Sequence, residues 1–144
     1  MKVLWHPMNI KLVLARNNTF LNKILYYTPA VCWGIFISVG TLSPEDEIPV
    51  FLISLNDKLI HATIYFLASG LIFLGYVRYN LKNQIPLGFL ICVLLLCILY
   101  GGLIEILQYY LVPGRTGDWN DFIANSTGAL ISALLFLAIR KRAA

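Results

Sequence analysis

The sequence predicts an all-α fold, a four-helix transmembrane bundle with both termini in the cytoplasm. Three observations predict it. The chain of 144 residues is 59% hydrophobic and only 12% charged, about half the charged fraction of ordinary soluble domains. Its apolar residues gather in four blocks near the ~20-residue length a helix needs to cross ~30 Å of hydrocarbon, whereas a spanning strand needs only about half that. Its basic residues fall almost entirely on one side of those blocks.

A basic segment, residues 1–23, comes first, and a membrane domain, residues 24–144, follows. The leading segment mixes Leu4, Trp5, Ile10, Leu12, Val13 and Leu14 with basic residues and no acids, a composition suited to an anionic membrane surface. Pro7 and the Asn17-Asn18 pair argue against one continuous helix there. Span one covers 24–42. Ser38-Val39-Gly40 loosely resembles a signal-peptidase site, but the long basic lead does not suit a signal peptide, and cleavage would leave three spans. The first outer connection holds Glu45-Asp46-Glu47, and Ser43-Pro44-Glu45-Asp46 has the order of a helix start. Span two covers 58–77. Span three begins near Ile85 and occupies about 87–111, where Pro113-Gly114 stops it. Gly117-Asp118-Trp119-Asn120-Asp121 then opens span four, 121–139.

Lys2, Lys11, Arg16, Lys23, Arg78, Lys82, Arg140, Lys141 and Arg142 share one side of this arrangement, leaving Lys58 and Arg115 on the other. The positive-inside rule therefore places both termini and the middle loop in the cytoplasm. This distribution, more than the net charge of +4, excludes nucleic acid as a partner; the partner it implies is the lipid bilayer. Tyr109, Tyr110 and Trp119 suit an outer aromatic belt, and Tyr76 and Tyr79 an inner one. Cys32, Cys92 and Cys97 all lie within apolar blocks, as small interior hydrophobes rather than a disulfide framework or zinc motif.

The polar residues inside the spans carry the chemistry. Asp57 and His61 are four residues apart and share a helical face, with Lys58 beside them. Glu105 and Gln108 are three apart in span three. Asp118, Asp121, Asn125, Gly128 and Ser132 form one stripe along span four, and Arg115 precedes them. All belong to the outer half of the predicted bundle. An acid as deep as Glu105 must face the interior and find partners among Lys58, His61, Gln108 and Arg115. Gly101 and Gly102 suit close approach of a neighbouring backbone, and Ala124, Gly128 and Ser132 give small-xxx-small spacing. Structural roles are available too. Asp57 suits a helix cap, Asp118 with Asp121 suits a cap and a first-turn acid, and Asn125 suits interhelical glue. What favours a site is that residues from three separate segments converge on one depth.

Three blocks resemble the VanZ-like family, named for a protein associated with glycopeptide (teicoplanin) resistance in Gram-positive bacteria. They are Asp57-Lys58-Leu59-Ile60-His61 with Tyr65-Phe66, Glu105-Ile106-Leu107-Gln108, and Arg115-Thr116-Gly117-Asp118-Trp119-Asn120-Asp121 running into Asn125 and Gly128. The resemblance covers roughly residues 35–140 and implies a multi-pass protein of the bacterial cytoplasmic membrane with an envelope-related role.

Two functional readings stand open. In the first, the polar cluster is a non-enzymatic pocket for an amphiphilic or cationic envelope ligand, such as an envelope lipid or a lipoglycopeptide. The carboxylates Asp57, Glu105, Asp118 and Asp121 outnumber Lys58 and Arg115, so the pocket suits an amine, while Arg115 suits a phosphate or carboxylate. In the second, a divalent metal held among His61, Glu105, Asp118 and Asp121, with Asp57 beside them, assists a hydrolase or transferase acting on a lipid-linked substrate. The chain carries no His-Glu-x-x-His, P-loop or serine-elbow motif.

Overall fold

The computed structural model describes residues 10–44, 56–80, 85–113 and 117–142. They form four helices: α1 (Ile10–Leu42), α2 (Asp57–Asn80), α3 (Leu87–Leu111) and α4 (Trp119–Arg142). Each contains a stretch long and apolar enough to cross a membrane: Lys23–Leu42, Asp57–Asn80, Leu87–Leu111 and Trp119–Ile139. Four such helices were expected, and four are present among the described residues. The acidic connection around Glu45-Asp46-Glu47, and Arg115, lie outside the described residues.

One expectation is not met. α1 runs unbroken from Ile10 through Asn17-Asn18 into the span. An asparagine in a helix costs only about 0.5–0.7 kcal/mol relative to alanine, and a helix already nucleated by the span propagates through such residues readily. α1 also carries Pro29 in its interior, which removes one backbone donor, a loss that membrane helices tolerate.

α2 and α4 are the most intimately packed pair, and they run parallel. Lys58 meets Asp121 near their first turns, a Cβ on Gly128 would collide with the Ala62 carbonyl, and Gly70 faces Ser132 one to two turns further on. Gly128 is thus the point where an absent side chain lets the α2 backbone approach, the role the small-xxx-small spacing predicts. Gly101 serves differently from expectation, because the atoms against it are side-chain atoms of Tyr65 and Asn125, and Gly102 faces Phe122.

α1 packs against α2 and α3, and hydrogen bonds fasten it. The Trp33 indole donates to the Ile64 carbonyl at 3.0 Å. The Tyr100 hydroxyl donates to the Gly34 carbonyl and lies 2.7 Å from Ser38 Oγ. Such bonds hold helices together where lipid supplies no hydrophobic drive between them. The apolar core consists of Ile37, Tyr65, Phe73, Ile85, Leu90, Val93, Cys97, Ala129 and Ala133. Leu59, Leu99, Leu103 and Ile123 are among many large apolar residues left exposed, as lipid-facing surface should be. The three cysteines are free thiols.

Candidate functional site

The parallel packing of α2 and α4 sets two helix N-termini side by side. Both carry acids that complement the positive end of the helix dipole. Asp57 opens α2, Asp118 immediately precedes α4, and Asp121 lies in the first turn of α4. The cap of α2 is Asn56 rather than Asp57, since Asn56 Oδ1 accepts from the amides of Lys58 and Leu59 at 3.1 and 3.3 Å. That leaves the Asp57 carboxylate uncommitted to the backbone. Asp118 does cap α4, with Oδ1 accepting from the Asn120 amide at 2.8 Å.

Lys58 sits at the centre of these acids. Its ammonium contacts Asp57 Oδ2 at 3.2 Å, Asp118 Oδ2 at 2.7 Å, and Asp121 Oδ1. Asp118 therefore uses one oxygen for the helix end and the other for Lys58. The Lys58 hydrogen bond holds the Asp118 carboxyl below the ordinary carboxylate range. Asp57 is open to solvent, whereas Asp121 is 9% exposed. The Lys58–Asp121 contact is consequently the least screened of the three.

One turn deeper lies a buried relay. Asn125, 1% exposed, turns its amide nitrogen toward Glu105 Oε1 at 3.5 Å and its Oδ1 toward His61 Nδ1 at 3.1 Å. Asn125 Oδ1 can only accept, so the proton of this contact belongs to His61 Nδ1. The other ring nitrogen, Nε2, then faces Asp57 Oδ1 at 3.6 Å and Asp121 Oδ2 at 3.9 Å. One oxygen of each aspartate contacts Lys58 and the other faces the imidazole.

Glu105 is buried six residues before the end of α3. It is not tied to Lys58, one of the basic partners the sequence offered. Its Oε2 accepts from the Asp118 amide at 3.3 Å, so the carboxylate also serves the start of α4. Gly117 makes this possible, since its Cα passes so close to the Glu105 carbonyl that a Cβ would lie 3.0 Å from that oxygen.

Gln108 leaves the cluster. Its side-chain amide donates to the Thr41 carbonyl at 2.7 Å and ties α3 to the end of α1. The structure thus gathers Asp57, Lys58, His61, Glu105, Asp118, Asp121 and Asn125, and sends Gln108 elsewhere. Among the expected metal ligands, His61 and Asp121 group with Asp57, their ligand atoms all within 4.8 Å of one another. Asp118 and Glu105 fall outside that group.

Below the relay the polar character continues into the bundle. Tyr65, one turn from His61, is 1% exposed, and its hydroxyl has no hydrogen bond among the described residues; the same holds for Ser132 Oγ. The sequence offered a signal for Tyr65, its four-residue spacing from His61, though not for its unsatisfied hydroxyl. At the opposite end, two grooves of about 510 and 440 Å³ share Lys23 and Tyr27; Tyr76 and Phe89 also line the first.

Among known proteins, a family model described as VanZ/LLP1 matches residues 5–140. No curated protein and no solved structure matches the chain.

Proposed function

The chain belongs to the VanZ/LLP1 family, and on that premise we propose that it binds a cationic envelope amphiphile at the polar cluster where α2 and α4 begin. The observation that carries this reading is the Lys58 ammonium, gathered by three carboxylates from two helix ends. A site that holds a lysine ammonium has the charge and acceptor geometry for the amine of a ligand, which competes with Lys58 for the same oxygens. Seven groups at one end of the bundle, beside the exposed rings of Tyr109, Tyr110 and Trp119, suit a ligand with a polar head and an apolar tail. The basic residues favour placing this end outward, with both termini in the cytoplasm. Such a position fits an envelope role and a link to teicoplanin-type resistance, in which the bound amphiphile is an antibiotic or an envelope precursor.

The test is binding of teicoplanin and its N-acetylated derivative to the protein in lipid nanodiscs. The free amine should bind roughly tenfold tighter, about 1.4 kcal/mol, and Asp118→Asn should remove the preference. Equal binding of the two forms would overturn the proposal.

A second reading, a metal-assisted hydrolase or transferase acting on a lipid-linked substrate, draws on a different observation: the environment of His61 Nε2.

A further inference from the structure

We infer that Asp57, His61 and Asp121 form a site for one divalent transition-metal ion, on the oxygens that Lys58 leaves open. This deepens the second functional reading and rests on the same cluster.

The first argument is the geometry of the lone pairs. His61 is 8% exposed, and its Nδ1 carries the proton given to Asn125. Nε2 makes no hydrogen bond among the described residues, and its nearest polar neighbours are Asp57 Oδ1 at 3.6 Å and Asp121 Oδ2 at 3.9 Å. A neutral imidazole in that tautomer points a lone pair at two carboxylate oxygens. Three lone pairs facing one another need a cation between them, either a proton on Nε2 or a metal ion. Around a tetrahedral ion with ligands at ~2.1 Å, donor atoms sit ~3.4 Å apart, so the two separations from His61 Nε2 contract by only a few tenths of an ångström to accept one. The two carboxylate oxygens, within 4.8 Å of each other, draw together by up to ~1.4 Å.

The second argument is the shell behind the ligand. Metal-bound histidines donate their other ring N–H to a fixed acceptor, which sets the tautomer and the ring orientation. Here Asn125 is that acceptor, and Glu105 fixes Asn125 in turn. This relay is buried, and it would be a costly arrangement for a histidine that merely fills space.

The third argument is charge. Asp57, Asp118 and Asp121 face one ammonium, and a dication neutralises the surplus at the membrane boundary, where uncompensated charge is expensive. Lys58 uses Asp57 Oδ2 and Asp121 Oδ1, whereas the ion would use Asp57 Oδ1 and Asp121 Oδ2, so both can be held together. A nitrogen-and-oxygen donor set suits zinc or manganese. Three protein ligands leave a position for water or substrate, the pattern of catalytic rather than structural metal sites.

The test uses full-length protein carrying a histidine-free affinity tag, stripped with chelator and titrated with Zn²⁺ in nanodiscs by competition against a chromophoric chelator. One ion per chain should bind saturably and raise the melting temperature. His61→Gln and Asp57→Asn should each weaken binding roughly tenfold or more. Asp118→Asn, which keeps a capping residue and alters the Lys58 contact but none of the three proposed ligands, should weaken Zn²⁺ binding clearly less than Asp57→Asn does. Because Asp57 is exposed, its variant keeps the test sound even if His61→Gln folds poorly. Absence of saturable binding would mean that His61 is an imidazolium paired with the aspartates, and equal losses in Asp118→Asn and Asp57→Asn would mean a diffuse acidic patch. Either result overturns the inference. Amine-selective teicoplanin binding without saturable Zn²⁺ binding sinks the metal site alone, and saturable Zn²⁺ binding without amine selectivity sinks the binding proposal alone.

Discussion

His61 Nδ1 and Asn125 Oδ1 lie 3.1 Å apart, joining α2 to α4 inside the bundle and giving the imidazole a single tautomer. Replacing Asn125 by leucine keeps the volume and strips both partners, leaving the His61 N–H unmatched and Glu105 one donor short. Buried groups stranded in this way cost about 1–3 kcal/mol each. Unfolding in mixed micelles should show a loss of about 2 kcal/mol or more for Asn125→Leu. Thr127→Leu, on the exposed side of the same helix, should change little.

Gly128 is where α2 and α4 come closest, and Gly128→Ala would push a methyl into the Ala62 carbonyl. The neighbour is backbone and cannot rotate away, so the helices must separate. Overpacking of this kind costs about 1–3 kcal/mol. The melting temperature should fall, whereas Gly88→Ala, with nothing within 4 Å of its Cβ, should leave it level or raise it slightly.

Glu105→Gln tests whether the deep acid is a tie or a participant. With no Lys58 contact to break, the substitution does not strand that ammonium. The variant keeps one acceptor but turns an N–H₂ toward either the Asp118 amide or Asn125, a mismatch of about 1–3 kcal/mol. It should insert and fold with a slightly lowered melting temperature, while teicoplanin binding in nanodiscs disappears. A well-folded variant with full binding would remove Glu105 from the proposed site.

Tyr65 has a buried hydroxyl with no hydrogen bond among the described residues, so Tyr65→Phe removes a desolvated polar group at almost no change in shape. Stability should stay level or rise, since an unmatched buried polar group is a net cost. Loss of stability in a melting experiment would show that the hydroxyl holds a partner in the membrane.

The orientation is checked by thiol labelling in a cysteine-free background. Trp119→Cys should react with an impermeant reagent from outside the cell, and Asn80→Cys should not. Trp119 is 80% exposed, so a thiol there is open to the reagent. Labelling at Asn80→Cys alone would invert the topology.

The sequence by itself determined the four spans, because hydropathy and length answer directly to bilayer thickness. It also determined the α4 cap, since Asp118 and Asp121 act within one turn of the chain. The stripe Asp121–Asn125–Gly128–Ser132 was legible for the same reason: helical periodicity records which face a helix hides. The tertiary structure decided what those faces meet. Only the close parallel approach of α2 and α4 at Gly128 and Ala62 makes Asp57 and Asp121 share Lys58 and His61; Lys58 and Asp121 are 63 residues apart in the chain, and His61 and Asn125 are 64. Side chains with several acceptors in reach were settled by helix rotation. Gln108 turned to the end of α1, Lys58 took three aspartates instead of Glu105, and Glu105 was left to a backbone amide and Asn125. The cap of α2 passed from Asp57 to Asn56, one residue earlier, and that small shift leaves the Asp57 carboxylate free to face the histidine.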